Sequence, residues 1–379
     1  MSEHQQVEGK ILTLPFMFLG VLAAIGLYFL GVRFTDGLGA VANINSGYPW
    51  GIWVVYDVVV GTALACGGYA LAFVIYVFNK GKYHPLIRPA ILASLFGYAL
   101  GGFGAFFDMG RYWQFYNIAM PSNWNFNSVM LEVGLCVITY IFVLFIEFAP
   151  ALLEKIGAKS ALRWLNKVLF FFIALGVLLP TMHQSSLGSL LIIMGSKVHP
   201  LWQSLQWQPL MALLTALTMG FSIVIFEASF AAVGFNRRPE TPLLARLSKA
   251  IIWLISVFLV VRLAELVLRG KLGFAFAGDL AGNMFLLEMA LFIFPLVVML
   301  SRGRRDNARL LLFAAVSLLF AGALYRFNAF LIAYNPGPGY SYFPSVPEIM
   351  VTVGIVAIEI MAYLVFVKKL PVLHSAEHA

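Results

Sequence analysis

The chain has 379 residues, of which 61% are hydrophobic and 11% are charged, and its mean hydropathy is +0.89. Soluble domains carry about 45–50% apolar and about 25% charged residues, so this composition excludes a soluble globular protein and predicts one that lies in a lipid bilayer. The formal net charge of +8 is not gathered on a clustered soluble basic face, which excludes nucleic acid as a partner.

Ten apolar segments are long enough to cross the bilayer as helices, because a helix rises about 1.5 Å per residue through about 30 Å of hydrocarbon. They cover residues 12–32, 50–78, 89–109, 128–150, 167–187, 207–232, 250–269, 280–300, 309–330 and 347–370. The predicted fold is all-α and polytopic, a single integral membrane domain over residues 1–379. Segments 2–5 (50–187) and segments 6–9 (207–330) begin on the same side, so we expect two four-helix bundles flanked by the first and last segments.

Lysine and arginine are shared unequally between the two sides of the membrane. With ten crossings both termini share a side, and that side holds 18 of the 25 basic residues, whereas the opposite connections hold five. Cytoplasmic loops carry the excess of Lys and Arg. We therefore predict cytoplasmic termini, and we call the opposite side the outer side.

Polar side chains recur in the outer third of four consecutive segments. The residues that share this depth, or lie just beyond it, are Tyr56 and Asp57 in segment 2, Asp108 and Arg111 at the end of segment 3, Glu132 in segment 4, and His183 and Gln184 in segment 5. Ionisable groups inside a membrane cost about 2.5–3.5 kcal/mol on insertion scales and mark functional sites. Because purely structural polar groups would be scattered, the shared depth predicts a polar pocket in the first bundle.

Each of these residues also has a structural interpretation. Asp108 and Arg111, three residues apart, could form an intrahelical ion pair, and Asp57 could pair with such an arginine. His183 could be a satisfied polar residue at a helix end. Glu132 has no basic neighbour within one turn of its own helix, so it must be neutral, hydrated or partnered by another helix.

A less regular series of ionisable residues extends to the inner side and to the second bundle. Arg262 and Glu265, three residues apart in segment 7, are predicted to form an internal ion pair, and Glu288 and Glu359 lie near mid-membrane. A proton relay requires groups that both donate and accept a proton. Besides the outer group, the residues predicted to carry such a relay are Tyr98, Glu147, Glu227, Arg262 and Glu265.

The sequence offers few ligands for a cofactor. The two cysteines, Cys66 and Cys136, cannot hold an iron–sulfur cluster, which needs four. A bis-histidine haem needs two histidines that face each other in the membrane, and only His183 lies inside a segment. Since no metal-ligand spacing and no phosphate-binding glycine motif appears either, we predict no haem, no iron–sulfur cluster and no metal on this chain, and we disfavour ATP-driven transport.

Several long stretches of the chain resemble one membrane-protein family. They are GYPWGIWVVYDVVVGTALACGGYALAFVIYVFNKGKYHPLIRPAILASLFGYALGG (47–102), FDMGRYW (107–113), NFNSVMLE (125–132), EFAPALLE (147–154), LPTMHQSSLGS (179–189) and KVHPLWQS (197–204). On these stretches the chain resembles the integral membrane subunits of hydrogenase-2-type nickel–iron hydrogenases, a branch of the NrfD-like or polysulfide-reductase membrane-subunit family.

The resemblance implies a ten-helix bundle in the bacterial inner membrane that reacts with a quinone, with menaquinone expected, and holds no prosthetic group of its own. It implies a periplasmic ferredoxin-like iron–sulfur subunit at the outer face, linked to the small and large subunits of a nickel–iron hydrogenase. Electrons would pass between that iron–sulfur subunit and the quinone, with proton translocation left open. The acidic, tyrosine and histidine positions of the family match Tyr98, Asp108, Glu132, His183 and Glu227.

Quinone reduction adds two electrons and two protons, so donors are expected near both quinone oxygens. The expected roles are a hydrogen bond from His183 to one oxygen, Tyr56, Asp57 or Asp108 near the other, Gln184 in the pocket wall, a favourable charge from Arg111 and proton supply by Glu132. Three alternatives stay open: the same quinone chemistry for another periplasmic reductase, a passive membrane anchor, and an ion transporter. The transporter is disfavoured because the helices are predicted to be continuous.

Overall fold

The computed structural model describes residues 4–204, 206–237 and 240–374. In this part of the chain ten helices are long and apolar enough to cross a membrane. They are α1 (Leu14–Thr35), α2 (Trp53–Val77), α3 (Ile87–Asp108), α4 (Val129–Lys155), α5 (Lys159–Met194), α6 (Gln208–Gly234), α7 (Thr241–Leu268), α8 (Leu280–Leu300), α9 (Ala308–Phe327) and α10 (Val346–Lys369). The all-α, multi-pass membrane fold predicted from the sequence is confirmed.

Short helical turns join the long helices. They are 3₁₀ turns at Leu38–Ala40, Gly81–Leu86, Tyr112–Ala119, Pro121–Asn123, Gly195–Lys197 and Leu272–Phe276, a four-residue helix at Arg302–Arg305, and a π-helical turn at Asn328–Ile332 that continues α9.

Side-chain caps set where several of the helices begin. Ser128, Asp279 and Asn307 each accept a hydrogen bond from a backbone N–H in the first turn of α4, α8 and α9. Ser345 and Glu348 form a reciprocal capping box at the start of α10. These side chains satisfy N–H groups that the helix itself leaves without a partner, so each helix begins at a defined residue.

Helix α2 is interrupted, so the prediction of continuous helices is wrong for this segment. Its ends, Trp53–Val60 and Phe73–Val77, are π-helical, and two short α-helical pieces between them meet at a turn at Ala65–Cys66. Segment 2 contains no proline to signal the break. The close approach of α6 accompanies it: a Cβ atom added to Gly220 would lie only 2.5 Å from the carbonyl oxygen of Cys66. Such π-helical interruptions occur frequently at functional sites.

The helices form two rings, each built from four helices that are consecutive in the chain. Helices α2, α3, α4 and α5 contact one another in sequence, as do α6, α7, α8 and α9, and α2 also contacts α6 and α9. Of the ten described helices, α2 is therefore the most enclosed: 83% of its most apolar 18-residue stretch is buried. Helices α1 and α10 form a pair outside the rings, and α10 packs on α3 and on the first part of α2.

Both ends of the described chain lie together. His4–Gln5 pairs antiparallel with Leu373–His374 in a two-stranded ladder. The ladder joins the start of α1 to the end of α10, and we call this end, which is predicted to be cytoplasmic, the inner end. The loops 111–128, 196–204 and 333–345 lie at the opposite end, which we call the outer end.

Candidate functional site

A buried hydrogen-bonded group connects α2 to α5 at the interruption of α2. The hydroxyl of Thr62 donates to the carbonyl oxygen of Val58 at 2.6 Å, and its oxygen accepts from Nε2 of His183 at 3.0 Å and from Nε2 of Gln184 at 3.2 Å. Thr62, His183 and Gln184 are all buried, with exposed fractions of 0%, 1% and 0%. We call these three residues, together with Tyr98, the His183 cluster.

The His183 cluster leaves two acceptor atoms unused. Because the Thr62 proton goes to Val58, Nε2 of His183 carries the proton in the bond to Thr62, and Nδ1 is an acceptor. Nδ1 of His183 and Oε1 of Gln184 have no hydrogen-bond partner among the described residues. Buried polar atoms normally have partners. Nε2 of His183 is therefore not available for the expected donation to a quinone oxygen. The two free atoms, Nδ1 of His183 and Oε1 of Gln184, can accept hydrogen bonds instead.

Tyr98 of α3 completes the cluster from the side. Its ring packs edge-on against His183 at 5.8 Å and against Tyr140 of α4 at 4.6 Å between ring centroids. Its hydroxyl lies 3.7 Å from Sγ of Cys66, at the turn of α2. The structure thus brings Tyr98, His183 and Gln184 together.

A second polar group surrounds Gly51, just before α2, toward the outer end. Oδ2 of Asp108 accepts the N–H of Gly51 at 3.3 Å, while the Tyr342 hydroxyl accepts the N–H of Ile52 at 2.8 Å and donates to Oε1 of Glu348 at 2.8 Å. A Cβ atom added to Gly51 would lie 3.1–3.4 Å from an oxygen of each of these three side chains. We call Asp108, Tyr342 and Glu348 the Gly51 cluster.

Along the chain, Asp57 lies between Gly51 and Thr62, the α2-side residues of the two clusters. Its side chain is buried, and its Oδ2 atom has no hydrogen-bond partner among the described residues. It interacts electrostatically with Asp108 and with Glu359 of α10, and Tyr56 beside it is partly buried. The predicted pocket residues of α2 and α3 are therefore neighbours, and α10 contributes to their surroundings.

The arginine that faces this region is Arg33, and the ion pair that Arg111 could form with Asp108 is absent among the described residues. Arg33 is buried at the end of α1, where Nε and Nη2 donate to the carbonyl oxygens of Phe107 and Met109 at 2.9 and 2.6 Å. It also interacts electrostatically with Asp108. Arg111 is exposed and forms no ion pair with Asp108 in the described chain, because α3 ends at Asp108 and the helical spacing that would join them is lost.

Two predicted acidic residues stand apart from both clusters. Glu132 lies in the first turn of α4, partly buried, and the described residues offer its side chain no hydrogen bond or ion pair. Glu147, on the same helix, has an Oε1 atom that is buried without a partner in the described structure. Their assignment to a proton path stays a prediction.

In the second bundle the predicted Arg262–Glu265 pair is wrong. Arg262 instead forms an ion pair with Glu288 of α8 at 2.7 Å, and Glu265 pairs with Arg269, one turn further along α7, at 3.6 Å. Glu288 is fully buried and also accepts from Trp202 and Asn328 at 2.9 Å each. A buried carboxylate requires charge compensation, which outweighs the weak local pairing that a three-residue spacing provides.

Glu227 lies at the inner end, beside a small cavity of about 40 Å³. The cavity is also lined by Pro85, Arg237, Glu240 and Leu373. The hydroxyl of Tyr363 in α10 donates to Oε1 of Glu227. At the cavity rim, burial raises the pKa of Glu240 above its ordinary value, although the nearby positive charge of Arg237 opposes this.

The described residues do not fit a bis-histidine haem. Helices α1–α10, as far as the structure describes them, contain His183 as their one histidine, and its Nε2 is bonded to Thr62. His84 lies ahead of α3 against Tyr76, and His199 lies in the loop after α5. Within the described ranges no group of three or more His, Cys, Asp and Glu residues could hold a metal ion.

Comparison with known sequences identifies the family. The profile of the family described as "Polysulphide reductase, NrfD" matches residues 40–335 of the chain. The chain belongs to the NrfD family. The matched region begins before α2 and extends past α9, so it includes both helix rings, the His183 cluster and Asp108 of the Gly51 cluster. Tyr342 and the whole of α10, with Glu348, lie beyond it. The resemblance that the sequence stretches indicated is confirmed.

Three NrfD-like relatives differ in how much of the chain they match. The chain is 50% identical over 373 residues to the "Probable Ni/Fe-hydrogenase 2 b-type cytochrome subunit" of Escherichia coli K12, which covers 98% of this chain and 95% of the relative. It is 28% identical over 189 residues to the "Menaquinone reductase, integral membrane subunit" of Nitratidesulfovibrio vulgaris, covering 46% and 42%. It is 22% identical over 426 residues to a selenate reductase subunit of Mesobacillus selenatarsenatis, covering 96% and 95%.

Proposed function

We propose that this chain is the quinone-reactive membrane subunit of a periplasm-facing nickel–iron hydrogenase complex in a bacterial inner membrane. It passes electrons between a ferredoxin-like iron–sulfur partner and menaquinone, and the protons of quinone reduction cross its helices. The near full-length similarity to a hydrogenase 2 subunit supports the choice of complex, and the relative named as a menaquinone reductase subunit supports the choice of quinone.

The single observation that carries the quinone chemistry is a set of buried acceptors on α2 and α5 without hydrogen-bond partners in the described structure. Nδ1 of His183, Oε1 of Gln184 and Oδ2 of Asp57 are buried on neighbouring helices and have no partners among the described residues. Unpaired buried acceptors are costly, so a site that retains three of them is suited to a ligand that brings hydroxyl donors. A hydroquinone has two such donors, one at each end of its ring.

Each residue has a separate role. Gln184 and His183 accept a hydrogen bond from the hydroxyl at one end of the reduced quinone, and Asp57 exchanges a proton at the other end. Tyr98 closes the site on the side of α3 and keeps water from the His183 ring. Asp108 and Arg33 hold the outer end of α3 in place against Gly51, so that Asp57 stays enclosed. A low-dielectric, preorganised surrounding strengthens each of these interactions.

The outer loop between α3 and α4 supplies the proposed docking surface for the iron–sulfur partner. This loop exposes large aromatic side chains, among them Trp113 at 61% and Phe126 at 82%. Exposed aromatic groups at the end of a membrane protein mark either the lipid interface or a protein contact. A partner at this loop places its electron carrier on the same side of the membrane as the Gly51 cluster.

The same quinone chemistry for another periplasmic reductase is the second candidate, and the selenate reductase relative favours it. The first two candidates share every residue role and differ only in the partner. The interruption of α2 removes the argument from continuous helices against a transporter, but the break is enclosed by α3, α5 and α6 and holds the His183 cluster, which suits a binding site.

The test is H₂-dependent reduction of a menaquinone analogue by the intact complex in mild detergent, comparing the native chain with His183→Ala. Ser185→Ala is the matched control, since that hydroxyl bonds only to Met182 in its own helix. We expect His183→Ala to lose at least about tenfold in quinone reduction, while an artificial dye is still reduced at the native rate. Equal rates in the two variants would remove His183 from the site. A native complex that does not link H₂ to quinone would contradict the hydrogenase assignment.

A further inference from the structure

Helix α10 has a polar face that the roles above do not use. The polar residues of its membrane part are Glu348, Thr352, Glu359 and Tyr363. At 3.6 residues per turn these four positions fall within an arc of about 60°, and they follow the helix for about 22 Å. A bilayer core is about 30 Å thick, so one face of α10 is polar through most of the membrane. We call these four residues the α10 polar face.

The outer end of this face joins the candidate site. Glu348 belongs to the Gly51 cluster, where it accepts from Tyr342. Thr352 and Glu359 both interact with Asp57 across the contact between α10 and α2. The α10 polar face therefore begins at the residues to which a quinone proton would be delivered.

The middle of the face is a carboxyl group with no partner. A Cβ atom added to Gly97 of α3 would lie 3.2 Å from Oε1 of Glu359 and 2.6 Å from Cβ of Ala65. The Glu359 carboxyl thus points toward α3 at the turn that interrupts α2. The described chain gives Glu359 neither a hydrogen bond nor an ion pair. An ionisable group at this depth is expensive, and holding helices together does not explain one that is bonded to nothing.

The inner end of the face opens to the cavity at the chain termini. Tyr363 lies one turn beyond Glu359 and donates its hydroxyl to Glu227. Glu227 lines the small cavity of about 40 Å³, whose rim includes Arg237 and Glu240. Carboxyl and hydroxyl groups therefore continue along one helix from this cavity to Asp57.

We propose that the α10 polar face carries protons from the inner cavity to Asp57, with Glu359 as the middle carrier and Tyr363 as its link to Glu227. The proposal rests on the proposed function, because reduction of the quinone at the outer site is what consumes the protons. The Tyr363 hydroxyl, which donates to Glu227 at rest, first turns toward Glu359. A protonated Glu227 then gives its proton to the oxygen of Tyr363 as Tyr363 passes its own hydroxyl proton to Glu359. Glu359 then protonates Asp57. Each step breaks one O–H bond and forms another, so only a proton moves.

This route differs from the one through the first helix ring. There, the Tyr98 hydroxyl faces Sγ of Cys66, and Glu147 has an unpartnered Oε1. Among the described residues no hydrogen bond links either side chain to Glu227. The α10 route has a formed hydrogen bond at its inner end and an electrostatic contact at its outer end. The flanking helix, rather than the ring, is therefore the better connected path.

The experiment uses the intact complex in lipid vesicles with H₂ as the donor and a menaquinone analogue as the acceptor. A pH dye reports proton uptake from the compartment that faces the chain termini. The variants are Glu359→Gln, which keeps the shape of the side chain, Tyr363→Phe, which removes only the hydroxyl, and Glu359→Asp, which restores a carboxyl. Glu154→Gln is the matched control, because Glu154 pairs with Arg88 at the end of α4, away from this face.

We expect Glu359→Gln and Tyr363→Phe to slow quinone reduction and proton uptake together by at least about tenfold, while dye reduction stays native. Glu359→Asp should recover most of both rates, and Glu154→Gln should retain them. Native rates in Glu359→Gln would overturn the proton route and leave the proposed function standing. A Glu359→Asp variant as slow as Glu359→Gln would show a packing role and would also overturn it. If the native complex reduces no quinone, the proposed function fails first.

Discussion

Nε2 of His183 lies 3.0 Å from Oγ1 of Thr62, one helical turn before the interruption of α2. The bond joins the two helices at the level where the backbone of α2 changes direction. It fixes the proton of His183 on Nε2 and leaves Nδ1 free to accept. A threonine hydroxyl, which no sequence pattern singles out, thereby sets the protonation pattern of the candidate site.

Replacing that hydroxyl should affect both stability and activity. Thr62→Val keeps the shape of the side chain but leaves two buried donors, on His183 and Gln184, without their acceptor. An unpaired buried donor costs about 1–3 kcal/mol, so we expect a lower melting temperature and slower quinone reduction. Thr35→Val is the control, since Thr35 is exposed and bonds only within α1. Unchanged quinone kinetics in Thr62→Val would show that the tautomer of His183 does not matter.

The two arginines near the end of α3 should differ sharply. Arg33→Met removes charge-assisted hydrogen bonds to two carbonyl oxygens, which are worth about 1.5–3 kcal/mol for a charged donor. Arg111→Met alters an exposed side chain and should stay within about 0.5 kcal/mol. The measurement is thermal unfolding of the purified complex in detergent. Equal destabilisation by the two substitutions would contradict the assignment of Arg33 as the residue that holds α3.

The buried pair in the second ring should behave as a unit. Arg262→Met leaves Glu288 charged and fully buried, and breaking such a pair is expected to cost about 3–5 kcal/mol. The double variant Arg262→Met/Glu288→Leu removes both charges and should be more stable than the single variant. Thermal unfolding of the two variants side by side checks this. A double variant no better than the single one would mean that the charges are not what the pair contributes.

The close contact between α6 and α2 predicts a steric effect at one glycine. Gly220→Ala places a methyl group 2.5 Å from the Cys66 carbonyl oxygen, so the helices must move apart at the interruption of α2. Overpacking of this kind costs about 1–3 kcal/mol. Gly234→Ala is the matched control on the same helix, because nothing lies within 4 Å of the added atom. We expect Gly220→Ala alone to lower the melting temperature and to slow quinone reduction.

The sequence predicts the helices well and their internal shape poorly. Length and hydropathy locate all ten crossings, because a membrane helix must be apolar over a set length. The interruption at Ala65–Cys66 has no such signal, since it depends on α6 packing against α2 rather than on a proline. Helix α5 extends from Lys159 to Met194, well beyond the predicted segment, because the more polar stretch 159–166 and the mainly apolar stretch 188–194 continue the helix at its two ends.

For the candidate site, the depth of each polar side chain in the membrane could be predicted from the sequence, but the rotation of each helix about its own axis could not. Asp57 and Asp108, which share the outer third of segments 2 and 3, do lie near each other. Arg33 and Glu348 were not predicted as site residues. Arg33 stands at the end of the first helix, where a basic residue is ordinary, and Glu348 stands where a capping-box glutamate is expected and does form that box. The pairing of Arg262 with Glu288 required knowledge of which faces of α7 and α8 meet.

The position of α10 also bears on how the protein is made. This helix is synthesised after the other nine, yet its Glu348 carbonyl accepts the indole N–H of Trp53 at 3.0 Å, and its Thr352 and Glu359 reach Asp57. We therefore expect the nine earlier helices to have an unfilled polar groove along α2 and α3 until α10 has been made. The contacts that complete the outer site would thus form only once α10 has joined the bundle.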